Sequence, residues 1–235
     1  MDRTTQLDIF RAQTENVREL EKAWTHAQRS INRDLINDNS TAATHHSKLL
    51  ALIFCAWSEA NFQKLIHTPH GFELDEILQI KLSAKHDIVQ GWQKCLEIGL
   101  QRISAKPKSN YLPNIKQTVE RIIHTYVHEP RLLRNKIAHG QWNIALNRDN
   151  DAINGQLTAE IAAIDIVKLA IWKEAYKSLS LIIEALIESP DKAFHRDYWQ
   201  ETVKIEEHLR NTEKWSLRDK IQKLKVKASH YKKVE

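Results

Sequence analysis

The chain has 235 residues, 42% of them apolar, with only five glycines and five prolines. Such a composition suits long helices around a real core, and it excludes a disordered chain and a turn-rich β-sandwich. The formal charge of +5 and the pI near 9.1 permit an anionic partner without demanding one.

Leu7, Phe10, Val17, Leu20 and Trp24 recur mostly at three- and four-residue steps, so residues 2–36 read as one helix. Asn37-Asp38-Asn39-Ser40 ends it and can cap a second helix over residues 41–66. From Leu49 to Trp57 this second helix is apolar almost all round, a pattern that belongs in the middle of a bundle. That run is too short to span a bilayer. Met1 is followed by charged and polar residues rather than a secretory leader, so a cytoplasmic protein with no membrane partner is expected.

Thr68-Pro69-His70-Gly71 breaks the chain, and residues 75–103 are helical again with an interruption near Ser83. Residues 107–110 read as a loop and 112–128 as the next helix. Pro130 then opens a short helix that should stop at Gly140. Trp142-Asn143-Ile144-Ala145-Leu146 and Gln156-Leu157-Thr158-Ala159-Glu160-Ile161 alternate polar with apolar around a turn-rich Asn147–Asp151, which predicts a small β-hairpin. Residues 165–188 form another heavily apolar helix, capped by Asp165 and stopped by Ser189-Pro190, and one helix or a helix pair follows.

The expected fold class is therefore all-α: a helical bundle with a small hairpin after the 130–140 helix and extra terminal helices. The expected organisation is an N-terminal helix over 1–40, a helical domain over 41–190 and a basic helical extension over 191–235. From Glu201 to Glu235 there are ten Lys/Arg against six Asp/Glu, so the tail carries most of the excess charge. Such a tail reads as a solvated face or as a nucleic-acid contact. Cys55 and Cys95 lie in apolar helical stretches and read as buried free thiols in a reducing compartment.

Chemistry concentrates in Arg134-Asn135-Lys136-Ile137-Ala138-His139, between Leu132-Leu133 and Gly140. Arginine can grip a phosphate with two parallel hydrogen bonds, and histidine moves protons near neutral pH. Asn135 and His139 share a helix face, whereas Arg134 lies about 140° around from His139 on an ideal helix. The two converge if the helix ends at His139-Gly140, or if Arg134 reaches a second copy of the site. The plainer alternative makes Arg134 a surface ion-pairing residue and His139 a C-terminal cap.

Glu59 shares a face with Leu52, Cys55, Ala56, Phe62 and Ile66. It either meets a cation or donor such as Arg134 or Asn135 inside that stripe, or reaches water at its edge. Trp142 reads as core packing or as a stacking surface for a base. His124 and His128 have zinc-ligand spacing, but Thr125 stands where a zinc-protease helix has Glu, so no metal is expected. Glycine-rich phosphate loops and dinucleotide fingerprints are missing from the sequence, and no cofactor is expected.

Taken together these residues resemble the HEPN superfamily, whose ribonuclease members carry Arg-x4–6-His. Arg134 and His139 match the two key positions, Asn135 matches the polar residue that commonly follows the Arg, and Glu59 resembles the acidic residue of an earlier core helix. The likeness covers roughly residues 41–189. It implies a bundle that dimerises so that two motifs form one cleft, and metal-independent endoribonucleolytic cleavage in toxin–antitoxin, antiphage or RNA-processing roles. The implied partners are RNA, a second copy of the chain, and an antitoxin or defence-system protein. Arg134, Asn135, His139 and Glu59 would be catalytic, and Lys136 and Trp142 would bind substrate. In members silenced by a nucleotidyltransferase a Tyr lies two residues after the His; here Gln141 stands there, so that modification is not implied. Other members have lost activity and serve as binding or dimerisation modules.

Overall fold

A computed structural model describes residues 1–104 and 110–231, so most of the loop expected at 107–110 lies outside the described residues. The described chain is helical: α1 (Arg3–Ile36), α2 (Ser40–Ile66), α3 (Leu74–Ala84), α4 (Ile88–Gln101), α5 (Tyr111–Ile123), a π turn (His124–His128), α6 (Glu129–Ala138), α7 (Gly155–Ala162), α8 (Ile166–Glu188), α9 (Ala193–Thr212) and α10 (Leu217–Tyr231). Two compact units are assembled from interleaved stretches rather than from consecutive segments. The first takes Met1–Arg18, Trp57–Glu129 and Glu174–His208; the second takes Glu19–Ala56, Pro130–Lys173 and Leu209–Glu235.

The first unit is organised around stacked aromatics. Tyr176 packs against Trp57 and Trp92 at 5.3 and 5.5 Å, Trp92 against Phe62 at 5.2 Å, and the Tyr176 hydroxyl donates to the Ser58 carbonyl at 2.5 Å. Two glycines permit this density. A Cβ on Gly91 would lie 2.7 Å from Ala84, and one on Gly99 would lie 2.6 Å from Leu186. The break at 68–71 is held from both sides: buried Gln6 donates to the Thr68 carbonyl at 3.3 Å, and Arg102 donates to the Gly71 and Ile187 carbonyls at 2.8 and 3.0 Å. The interruption expected near Ser83 falls at Lys85–Asp87, where the Asp87 carboxylate accepts from the Val89 N–H and caps α4.

The second unit buries Trp24, Ile31 and Leu35 of α1 with Leu50 and Phe54 of α2. Phe54 lies between Trp24 and Trp172 at 6.4 and 6.2 Å, and the Lys173 ammonium sits 4.5 Å from the Trp24 ring centroid. As a whole α2 is long and apolar enough to cross a membrane by length and composition, and half of its most apolar window is buried inside the fold. Asp165 caps α8 by accepting from the Val167 and Lys168 amides at 2.7 and 2.9 Å.

Two expectations are corrected. No helix boundary forms at Pro130: the chain is helical from Tyr111 to Ala138. Proline lacks an N–H and its ring crowds the carbonyl one turn earlier. The π turn relieves both, because the Glu129 N–H reaches back five residues to the His124 carbonyl. The hairpin reduces to one antiparallel bridge, Leu146 with Ile153, and its second strand is instead the helix α7. Over so few residues Leu157 and Ile161 satisfy both a two-residue and a 3.6-residue period. The Asn154 cap decides for helix, accepting from the Leu157 N–H at 3.0 Å.

Candidate active site at the end of α6

Pro130, Leu133 and Ile137 form the buried face of α6. Arg134, Asn135 and Lys136 are half-buried in consequence, while Leu132, Ala138 and His139 are exposed. The helix then ends in a Schellman reversal. The Gly140 N–H donates to Ile137 at 3.1 Å and the Gln141 N–H to Lys136 at 2.9 Å, with Gly140 left-handed at φ +82°. His139 is the last residue before that reversal, and its own N–H still bonds the Asn135 carbonyl at 3.1 Å. This is the helix end expected at Gly140.

Arg134 donates to the Asn135 side-chain oxygen at 3.3 Å, so these two residues meet. The guanidinium also acts on Cys55 of α2: burial pushes that thiol up to about 12, against the pull of the Arg134 charge. Burial raises Cys95 as well. Both cysteines are free and buried, as expected, and a thiol held protonated is a poor nucleophile.

Lys136 has a structural task. Its ammonium donates to the Leu146 and Asn147 carbonyls at 2.6 and 3.2 Å, clipping the following loop to α6. Gln141 holds the same loop, accepting from the Leu146 N–H at 2.8 Å and donating to Asn150 at 3.2 Å. Trp142 is half-buried and donates its indole N–H to the Ile137 carbonyl at 3.0 Å.

Sequence reasoning missed Lys48. It is 3% exposed, and its ammonium donates to the Trp142 carbonyl at 2.5 Å and the Asn143 side chain at 3.2 Å, with the Trp142 ring centroid 6.0 Å away. Lost hydration holds its pKa below the usual lysine value. The one available signal is a lysine directly before an apolar helical run, which ordinarily means a side chain reaching out to water. His45 joins it, with its ring 6.3 Å from that of Trp142.

Glu59 is exposed and belongs to the first compact unit, whereas Arg134, Asn135 and His139 belong to the second. Cys55, Phe62 and Ile66 are buried, so the carboxylate lies at the edge of their stripe and not within it. The His124 and His128 rings lie 5.1 Å apart, and among the described residues no group of three or more His, Cys, Asp or Glu is placed to hold a metal ion. No family model, no curated protein and no solved structure matches the chain.

Proposed function

We propose that the chain is a HEPN-type endoribonuclease that cleaves RNA without a metal, through a site completed by a second copy of itself, in a toxin–antitoxin or antiphage setting. The observation that carries this reading is the end of α6. A left-handed Gly140 stops the helix directly after His139 and leaves the imidazole exposed, at the end of the helix that holds Arg134 against Asn135.

In this reading His139 of one copy takes the proton of a ribose 2′-hydroxyl, and the freed oxygen attacks the adjoining phosphorus. The P–O5′ bond breaks, and the departing oxygen receives a proton from His139 of the second copy. The products are a 2′,3′-cyclic phosphate and a 5′-hydroxyl. Arg134 stabilises the charge that builds on the phosphoryl oxygens, and Asn135 positions the phosphate or the imidazole. Lys136 offers substrate the donor that its loop contacts leave over, and Trp142 offers its ring.

Arg134→Ala and His139→Ala should each lower the cleavage rate about a hundredfold or more. Unchanged rates in both variants refute the assignment. A second reading, a helical module that binds RNA or a partner protein without cleaving, is favoured by one observation: Lys136 already serves the fold. It predicts RNA binding in wild type and His139→Ala alike, with no products from either.

A further inference from the structure

Leu217, Ile221, Leu224 and Ala228 of α10 recur at helical spacing and are half-buried. The helix is fixed at two further points. Ser216 and Asp219 bond reciprocally at its start, at 3.1 and 2.7 Å, and Lys225 pairs with Asp38 at the end of α1 at 2.5 Å. Between α10 and the start of α8 lies a trough of about 1070 Å³, all within the second unit.

Its floor is aliphatic: Ile166, Val167 and Ala170 from α8, with Leu224 and Val226 from α10. Its rim is cationic, carrying Lys214, Lys220, Lys223 and Lys227. Among the described residues Asp219 is the one acidic group in the lining, and Ser216 already engages it. Ile166 and Val167 are buried at its base, Ala170 and Leu224 are half-buried, and Val226 (51% exposed) and Trp215 (53%) present the apolar surface that solvent reaches. Four lysines around the solvent-exposed Val226 and Trp215 call for an occupant that is apolar on one side and acidic on the other.

Size narrows the choice. A helix about 10 Å across that fills this volume is about 14 Å long, or roughly nine residues. Nucleic acid fits less well. Single strands are held by aromatic platforms on which bases stack, and among the described residues Trp215 and His230 are the only rings in the lining and no arginine joins them. We propose that the trough is the docking site for an acidic amphipathic helix of a partner protein. Leucine-type residues at i, i+3, i+4 and i+7 would cover Val226, Trp215 and the half-buried Ala170 and Leu224, and glutamates or aspartates would meet the lysines. Nothing in this depends on RNA cleavage at α6.

The test uses the full-length protein and a fluorescein-labelled helical peptide of about 14 residues, Leu on one face and Glu on the others. Fluorescence anisotropy compares it with a scrambled peptide of equal composition and with labelled oligouridine. Binding should be micromolar and weaken with salt, and the scrambled peptide should bind about tenfold more weakly. Lys223→Glu with Lys227→Glu, and separately Val226→Asp, should each weaken binding about tenfold. All three side chains are exposed, and circular dichroism verifies that the variants fold. Absence of binding at about 1 mM peptide overturns the proposal. So do equal affinity for the scrambled peptide, unaffected variants, or loss of oligouridine binding in variants whose wild type ignores the peptide.

Discussion

Replacing Gly140 by alanine should destabilise the protein by about 1 kcal/mol, and the reason is purely conformational. Gly140 sits at φ +82°, and a Cβ there would meet nothing within 4 Å, so no steric clash adds to the penalty. A non-glycine residue in the left-handed region costs about 1–2 kcal/mol. In a chain of this size that lowers Tm by about 2–4 °C per kcal/mol. Gly155, the first residue of α7, is the control, because a Cβ there also meets nothing and no left-handed φ is involved. Gly155→Ala should therefore be neutral or stabilise by about 0.4–1 kcal/mol, through restriction of the unfolded chain. Gly99→Ala completes the series: its Cβ would fall 2.6 Å from Leu186, and overpacking of this kind costs about 1–3 kcal/mol. Urea denaturation of the three variants measures the order. If Gly140→Ala matches Gly155→Ala, the helix does not reverse at residue 140. The stop that makes His139 the last residue before the reversal, with its imidazole exposed, would then be absent.

Lys48→Met should leave the Trp142 and Asn143 oxygens without their donor, at about 1–3 kcal/mol at neutral pH. The folded pKa of Lys48 lies below 10.5, so the unfolded chain holds that proton more tightly. Wild type should then gain stability relative to Lys48→Met as pH rises toward 10.5; a gap that narrows over this range contradicts the burial argument. Iodoacetamide at about pH 8 should label neither cysteine until the protein is unfolded, and rapid native labelling of Cys55 would contradict its protonated, buried state. Asn154→Ala should cost about 1 kcal/mol, with faster hydrogen exchange at the start of α7 than elsewhere in the second unit.

The long helices were legible because their signals are local and repeated. α1 follows from a chain of three- and four-residue apolar steps, and α8 from an Asp cap and a Ser-Pro stop. The helix end at Gly140 was legible for the same reason, since only glycine takes that backbone cheaply. Pro130 misled because a π turn absorbs what a proline ordinarily breaks, and such widening leaves no mark in the residues themselves. The stretch 156–161 misled because so few residues cannot separate two periods. Lys48 and Lys136 owe their roles to a loop distant in sequence from Lys48, and the α8–α10 trough joins residues that no spacing rule connects. Among the site residues, sequence pattern placed Arg134, Asn135 and His139 on one short helix end. The exposure of Glu59 depended on what covers α2, which periodicity does not specify.

Incubating pure full-length protein with mixed RNA in excess chelator and sequencing the fragment ends asks whether His139 cuts RNA. Fragments ending in 2′,3′-cyclic phosphate from wild type, and their near-complete loss in folded His139→Ala, are the predicted result. Intact RNA with wild type, or equal fragmentation by His139→Ala, rules out cleavage by His139.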